Sequence, residues 1–247
     1  TPGDVRELQR LGLSLDFYAW LNISVFLIFL LVCVSIGMVL FLRRSDDHMA
    51  LLASLSLVFL PIGFNAQITG TLPLTWTFPT EVITFCGNVC LGLFIFLFPR
   101  GRFVPRWTRW LMVVWIAYWV NIQFFPNEPL NNTWLPAVPV VGLIVSMIAL
   151  QIYRYRRVST PLQRQQTKWV VFGIAVAFGG FVCGFLLVEI LLPQFFSMSP
   201  LSFTLLQMPV TFLLLVYPLS IAFAILRNRL WDIDAIINKA LVYGLLS

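Results

Sequence analysis

Few residues of this chain are of types that do chemistry, and their spacing limits what that chemistry is. The single histidine, His48, lies beside Asp46 and Asp47. A metal centre needs three or four ligands, and no second His or nearby Cys completes a set. His48 reads as a solvated loop residue, and one imidazole cannot anchor a bis-His haem. Of the four cysteines, Cys86 and Cys90 stand one helical turn apart on one face, which would let them share a metal or react together, but two ligands do not close a site. With Cys33 and Cys183 they fall inside apolar runs, where a thiol behaves as a small apolar residue, and core packing is the expectation. The sequence has no phosphate-cradling glycine loop, dinucleotide fingerprint, nucleophile elbow or HExxH. No catalytic residue, no metal and no cofactor is expected.

Polar residues inside the apolar runs carry more information, because an ionisable or amide group in hydrocarbon is costly and is kept for a contact. Asn22, Asn65, Gln67, Glu81, Asn88, Asn121, Gln123, Glu189 and Gln207 all fall toward one side of the runs, with Gln151 and mostly Ser toward the other. The set Asn65, Gln67, Glu81, Asn121 and Glu189 is the candidate ligand-binding group of a pocket opening outward, suited to an amphipathic or cationic ligand. The same residues would otherwise meet lipid headgroups or bond neighbouring helices.

The elements that position them follow from composition. Of 247 residues 60% are hydrophobic and 11% charged, against about 45–50% and about 25% for a soluble domain. A span needs about 20 mostly apolar residues, and seven stretches qualify, at about Phe17 to Leu42, Met49 to Thr69, Thr80 to Phe98, Trp107 to Phe125, Leu135 to Tyr153, Trp169 to Leu192 and Leu201 to Leu226. An eighth begins near Ala240 and stops at Ser247, and the sequence begins with Thr1 instead of Met, so the chain reads as a fragment or a processed protein. The expected fold is an all-α polytopic membrane helix bundle of seven transmembrane helices plus the start of an eighth. Fourteen of the sixteen Lys and Arg residues fall in alternate connections, leaving only Arg6 and Arg10 on the other side. That asymmetry puts the amino end outside, explains the net charge of +6 as topology and attraction to anionic lipid, and removes any need for nucleic acid. Trp20, Trp76, Trp107, Trp110, Trp134, Trp169 and Trp231 fall near span ends, as amphipathic rings do.

Local signals extend the bundle. Asp4, Glu7 and Gly12 fit a cap, a capping-box partner and a stop for a short external helix at 1–13. Thr160, Pro161 and Gln163 fit N-cap, N1 and N3, so the sixth helix should start at Pro161. In 227–247, Leu230, Ile233, Ile237, Ala240 and Leu241 share a face opposite Asp232, Asp234, Asn238 and Lys239, the pattern of a cytoplasmic interfacial helix leading into the truncated eighth span. Residues 14–226 form the membrane bundle between them. Pro61, Pro139, Pro209 and Pro218 each remove a backbone donor inside a span and can kink it.

Residues 160–173, TPLQRQQTKWVVFG, and 217–247, YPLSIAFAILRNRLWDIDAIINKALVYGLLS, resemble the multi-span amino-terminal region of ComP-like bacterial sensor histidine kinases of the Chloroflexi type. Gly12 to Ala50 is similar to the start of that module. The resemblance implies a non-catalytic membrane input module of a two-component system, in the bacterial inner membrane, passing a ligand or membrane signal inward to a kinase region absent from these residues. The expected partners are membrane lipids, a small amphipathic or peptide ligand from outside, and a second copy in a homodimer or the subunits of a larger membrane complex. His48 is followed by Met49 where the family's phosphoacceptor has an acidic residue, so no kinase role attaches to it. The alternative is a non-catalytic accessory or scaffold subunit of a larger photosynthetic or respiratory membrane complex. A transporter finds no support in an inverted repeat or a charged mid-membrane site.

Overall fold

The computed structural model of the protein describes residues 14–64, 74–99, 101–125, 137–186 and 208–228, and among these every regular element is helical. α1 runs Leu15–Arg43, α2 His48–Phe64, α3 Leu74–Leu97, α4 Thr108–Phe124, α5 Ala137–Tyr153, α6 Pro161–Leu186 and α7 Val216–Asn228, the last preceded by helical residues 208–214. A five-residue π-helical turn, Arg154–Val158, extends α5. The external helix expected at 1–13 lies outside the described residues. So does the segment expected at 227–247 with its eighth span, apart from Arg227 and Asn228 at the end of α7.

Side chains satisfy the helix starts. Ser14 accepts the Phe17 N–H at 3.1 Å, and Asp16 in the first turn and Arg43 in the last complement the helix dipole of α1. Asp47 accepts the Met49 N–H at 2.7 Å and opens α2. At α6 the expected capping box is formed: the Gln163 N–H donates to Thr160 Oγ1 and the Thr160 N–H to Gln163 Oε1, both at 3.3 Å, with Pro161 as the first helical residue.

Five of the described helices are long and apolar enough to cross a membrane: Ala19–Arg43, Thr75–Leu97, Val138–Val158, Pro161–Gly184 and Met208–Ile225. The expectation of seven spans plus the start of an eighth is corrected accordingly. α2 and α4 fall short with 17 residues each. At about 1.5 Å per residue that is about 25 Å, against a hydrocarbon core of about 30 Å.

Consecutive helices pack side by side, α7 returns to α1, and α3 also reaches α5. Phe29, Cys33 and Leu40 of α1, Ala53 and Leu57 of α2, Phe94 of α3, Ile174 of α6 and Tyr217 and Ile221 of α7 are buried at the centre. The outward faces are as apolar as the interior. Leu31, Met38 and Leu42 of α1, Phe78 of α3, Val113 of α4, Phe172 of α6 and Phe212 before α7 are all exposed, an apolar surface that water would not tolerate and lipid does. The chain is built as a multi-pass membrane protein. Trp20, Trp76, Trp107 and Trp110 are exposed near helix ends, where headgroups would receive them.

The prolines differ in effect. Pro139 is the third residue of α5, where the N–H has no partner in any helix, so the kink expected there does not arise. Pro218 lacks the N–H that would serve the Leu214 carbonyl. The helix breaks at Leu215, whose N–H divides between the Thr211 and Phe212 carbonyls at 3.2 Å each.

Candidate functional site

Of the expected outward set, Glu81 and Asn121 fall within the described residues. Glu81 lies two turns into α3, half-buried, because α3 starts at Leu74 and not at Thr80. Asn121 is exposed in the last turn of α4. The two helices run antiparallel, with the Phe85 ring edge-on to Phe124 at 5.6 Å, but no hydrogen bond joins Glu81 to Asn121. Asn65, Gln67 and Glu189 lie outside the described residues. Asn88 serves packing: its Nδ2 donates to the Thr84 carbonyl at 2.9 Å, and its own carbonyl accepts Trp115 Nε1 at 2.8 Å. All four cysteines are free; Cys33 is buried, whereas Cys86 is exposed and Cys90 only half-buried, so that pair is not core as expected. Among the described residues no group of three His, Cys, Asp or Glu side chains could hold a metal ion.

Polar chemistry gathers instead at the arginine-rich end, where α3 meets α5. The cause is in the sequence. α3 runs into Pro99, which cannot donate to the Ile95 carbonyl one turn earlier, and a helix leaves its last carbonyls without partners in any case. The Phe98 and Gly101 N–H groups serve the Phe94 and Leu97 carbonyls at 2.8 and 2.9 Å. Ile95 is served from α5. Gln151 Nε2 donates to the Ile95 carbonyl, and Arg154, three residues on, donates from Nη1 to the Ile95 carbonyl at 3.3 Å and the Phe98 carbonyl at 3.0 Å. Its Nε reaches the Val104 carbonyl in the α3–α4 connection at 2.6 Å. A guanidinium at a helix carboxyl end also meets the negative end of the dipole.

The π-turn aims this arginine. Ser159 closes it, bonding the Arg154 carbonyl through its N–H at 2.9 Å and its hydroxyl at 3.1 Å. Gln151 is 1% exposed and Arg154 only 3%. Gln151 Oε1 and Arg154 Nη2 are buried without partners. In the sequence Arg154 is one of the fourteen basic residues that set topology and attract anionic lipid; what distinguishes it is the pairing of Gln151 with Arg154 at helical spacing opposite a helix that ends in proline.

A second buried polar point lies at the centre. Tyr217 of α7 is fully buried, its hydroxyl 3.2 Å from Ser56 Oγ of α2. Its ring packs edge-on against Phe178 of α6 at 5.6 Å and Phe94 of α3 at 6.3 Å. One side chain thus ties four helices. Set against protein families, curated proteins and solved structures, the chain matches no family model, no curated protein and no solved structure.

Proposed function

We propose that the chain is the membrane-embedded input module of a ComP-like two-component sensor histidine kinase, lying in the bacterial inner membrane with its amino end outside. α7 leads into the 227–247 segment and is the output element. The observation that carries this reading is the helix break at Leu215 below Pro218, two residues before the 217–247 stretch whose sequence resembles that family's. A helix interrupted one turn before a donor-less proline can tilt about the break without losing further backbone bonds, so a change at one end would redirect the other. The capping box at Thr160 and Gln163 supports it too, because it starts α6 inside the other stretch that carries the resemblance. An amphipathic or peptide ligand would arrive at the end bearing Asn65, Gln67, Glu81, Asn121 and Glu189.

The test is the native polypeptide in its own membranes. Expected are a mass far above the 28.2 kDa of these residues and acid-labile phosphate incorporated from ATP. Pro218→Ala, which gives Leu214 a donor, should change the basal incorporation severalfold. A native chain near 28 kDa that co-purifies stoichiometrically with other subunits would instead establish the accessory-subunit reading. The broad outward face of α1, with Leu31 63% and Leu42 68% exposed, favours that alternative, since partner helices could cover it as well as lipid.

A further inference from the structure

We infer that the cleft between the end of α3 and the π-turn binds a phosphate group, with Arg154 at its floor and Arg102 at its mouth. The cleft is lined by Leu97, Phe98, Pro99, Arg102, Val104, Arg154, Val158 and Ser159 and is shallow and open to solvent at its mouth. No carboxylate is among these residues. A guanidinium that is 3% exposed carries a full charge away from water, and buried charges are ordinarily paired with an opposite charge. Among the described residues Arg154 meets only carbonyl dipoles: Nε and Nη1 are engaged with Val104, Ile95 and Phe98, and Nη2 is buried with no partner. Phe98 and Val104 are also walls of the cleft, so Arg154's acceptors hold it against that space.

Arg102 is exposed on the α3–α4 connection and contributes a second guanidinium to the same cleft. Two guanidiniums with no competing carboxylate match a tetrahedral oxyanion, since the planar fork of Arg recognises phosphate oxygens pairwise. The π-turn is a further mark, as such turns occur at functional sites more often than elsewhere. The position, in the last turn of the Val138–Val158 span, is close to the depth at which lipid phosphates lie. A phospholipid headgroup and a free phosphate ion present the same chemistry, and the experiment separates them. The inference does not depend on the signalling role.

The full chain, purified in neutral detergent, is titrated with phosphatidylglycerol, with phosphatidylcholine and with inorganic phosphate; retained lipid is read by native mass spectrometry and phosphate by the rise in unfolding temperature. Because Arg154 also caps α3, Arg102 carries the test, with the exposed Arg106 of the same connection as control. Expected is one anionic lipid retained per chain, weakened about tenfold by Arg102→Gln, the loss of one charge-assisted contact, and unchanged by Arg106→Gln. An Arg102-dependent rise with inorganic phosphate but no lipid retention would support the site with the free ion as its occupant. Equal effects of Arg102→Gln and Arg106→Gln, or no binding of either phosphate source, would overturn it.

Discussion

The α3–α5 and α6–α7 junctions solve one problem by opposite means. In lipid the hydrophobic effect does not press helices together, so association rests on close packing and interhelical hydrogen bonds. α3 and α5 use donors: Gln151 and Arg154 reach carbonyls that Pro99 and the helix end leave open. α6 and α7 use missing atoms. A Cβ on Gly173 would overlap the Ser220 side chain, one on Gly180 would overlap Leu213, and one on Gly184 would sit 3.3 Å from Val210. As α6 ascends through 173, 180 and 184, α7 and the residues before it descend through 220, 213 and 210, an antiparallel seam whose first step is one heptad on each side. Trp169 and Phe223 close one end of it, with ring centres 4.6 Å apart. A donor grip works only where backbone acceptors are free, at a helix end, whereas a glycine seam works anywhere along a span.

The seam should break harder than the grip. Gly173→Val forces a side chain into Ser220 and toward the Val216 carbonyl, 3.2 Å from the position of a Cβ. It should cost about 3 kcal/mol by overpacking, measured by equilibrium unfolding in mixed micelles. Ser220→Gly in the same chain should recover more than half of that. Gly142 of α5 has nothing within 4 Å of an added Cβ, and Gly142→Ala should stabilise by up to about 1 kcal/mol through helix propensity. If Gly173→Val and Gly142→Ala behaved alike, close approach would not be what holds α6 to α7.

The grip should yield less, and with a different signature. Arg154→Met strips the Phe98 and Val104 carbonyls of their donor and should cost about 2 kcal/mol for buried acceptors left open. Gln151→Leu alone should cost about 1 kcal/mol, because Arg154 Nη1 still serves Ile95. The double variant removes both donors to the Ile95 carbonyl, and its loss should exceed the sum of the two singles by about 0.5 kcal/mol or more, the coupling expected of residues sharing one acceptor. Strict additivity would mean that the shared carbonyl contributes nothing.

Where sequence and structure agree, the information is local. The capping box at Thr160 and Gln163 needs three residues and a proline to be legible, and α6 begins where it says. Apolar runs located all the described helices, because burial in lipid is written in composition, but two of those helices, α2 and α4, are too short to span. α3 starts at Leu74, ahead of the apolar run at Thr80 to Phe98, and carries Pro79 internally. The candidate site was the least legible part. Depth along a run says how far a residue lies from the membrane surface, not which way it turns, so the runs alone do not say which of Glu81 and Asn121 would face a common pocket. Arg154 counted as one more topology arginine, since its burial depends on a carbonyl 59 residues earlier in the chain.

Tyr217 combines both strategies, and its hydroxyl should matter least. The phenol reaches Ser56 Oγ at 3.2 Å, yet Ser56 Oγ also lies 2.8 Å from the Ala53 carbonyl of its own helix, to which it donates. With the serine proton engaged there, the tyrosine O–H is the donor across the α2–α7 contact. Removing it leaves no backbone group open. Tyr217→Phe should therefore cost about 0.6 kcal/mol, the usual worth of a side-chain hydrogen bond between membrane helices. Tyr217→Ala opens a cavity between Phe94 and Phe178 and should cost about 3–5 kcal/mol, so the ratio of the two separates ring from hydroxyl. A Tyr217→Phe loss above 2 kcal/mol would show that the centre of the bundle is held by its polar contact and not by packing, and the contrast between a donor grip at the helix ends and close packing within the spans would no longer hold.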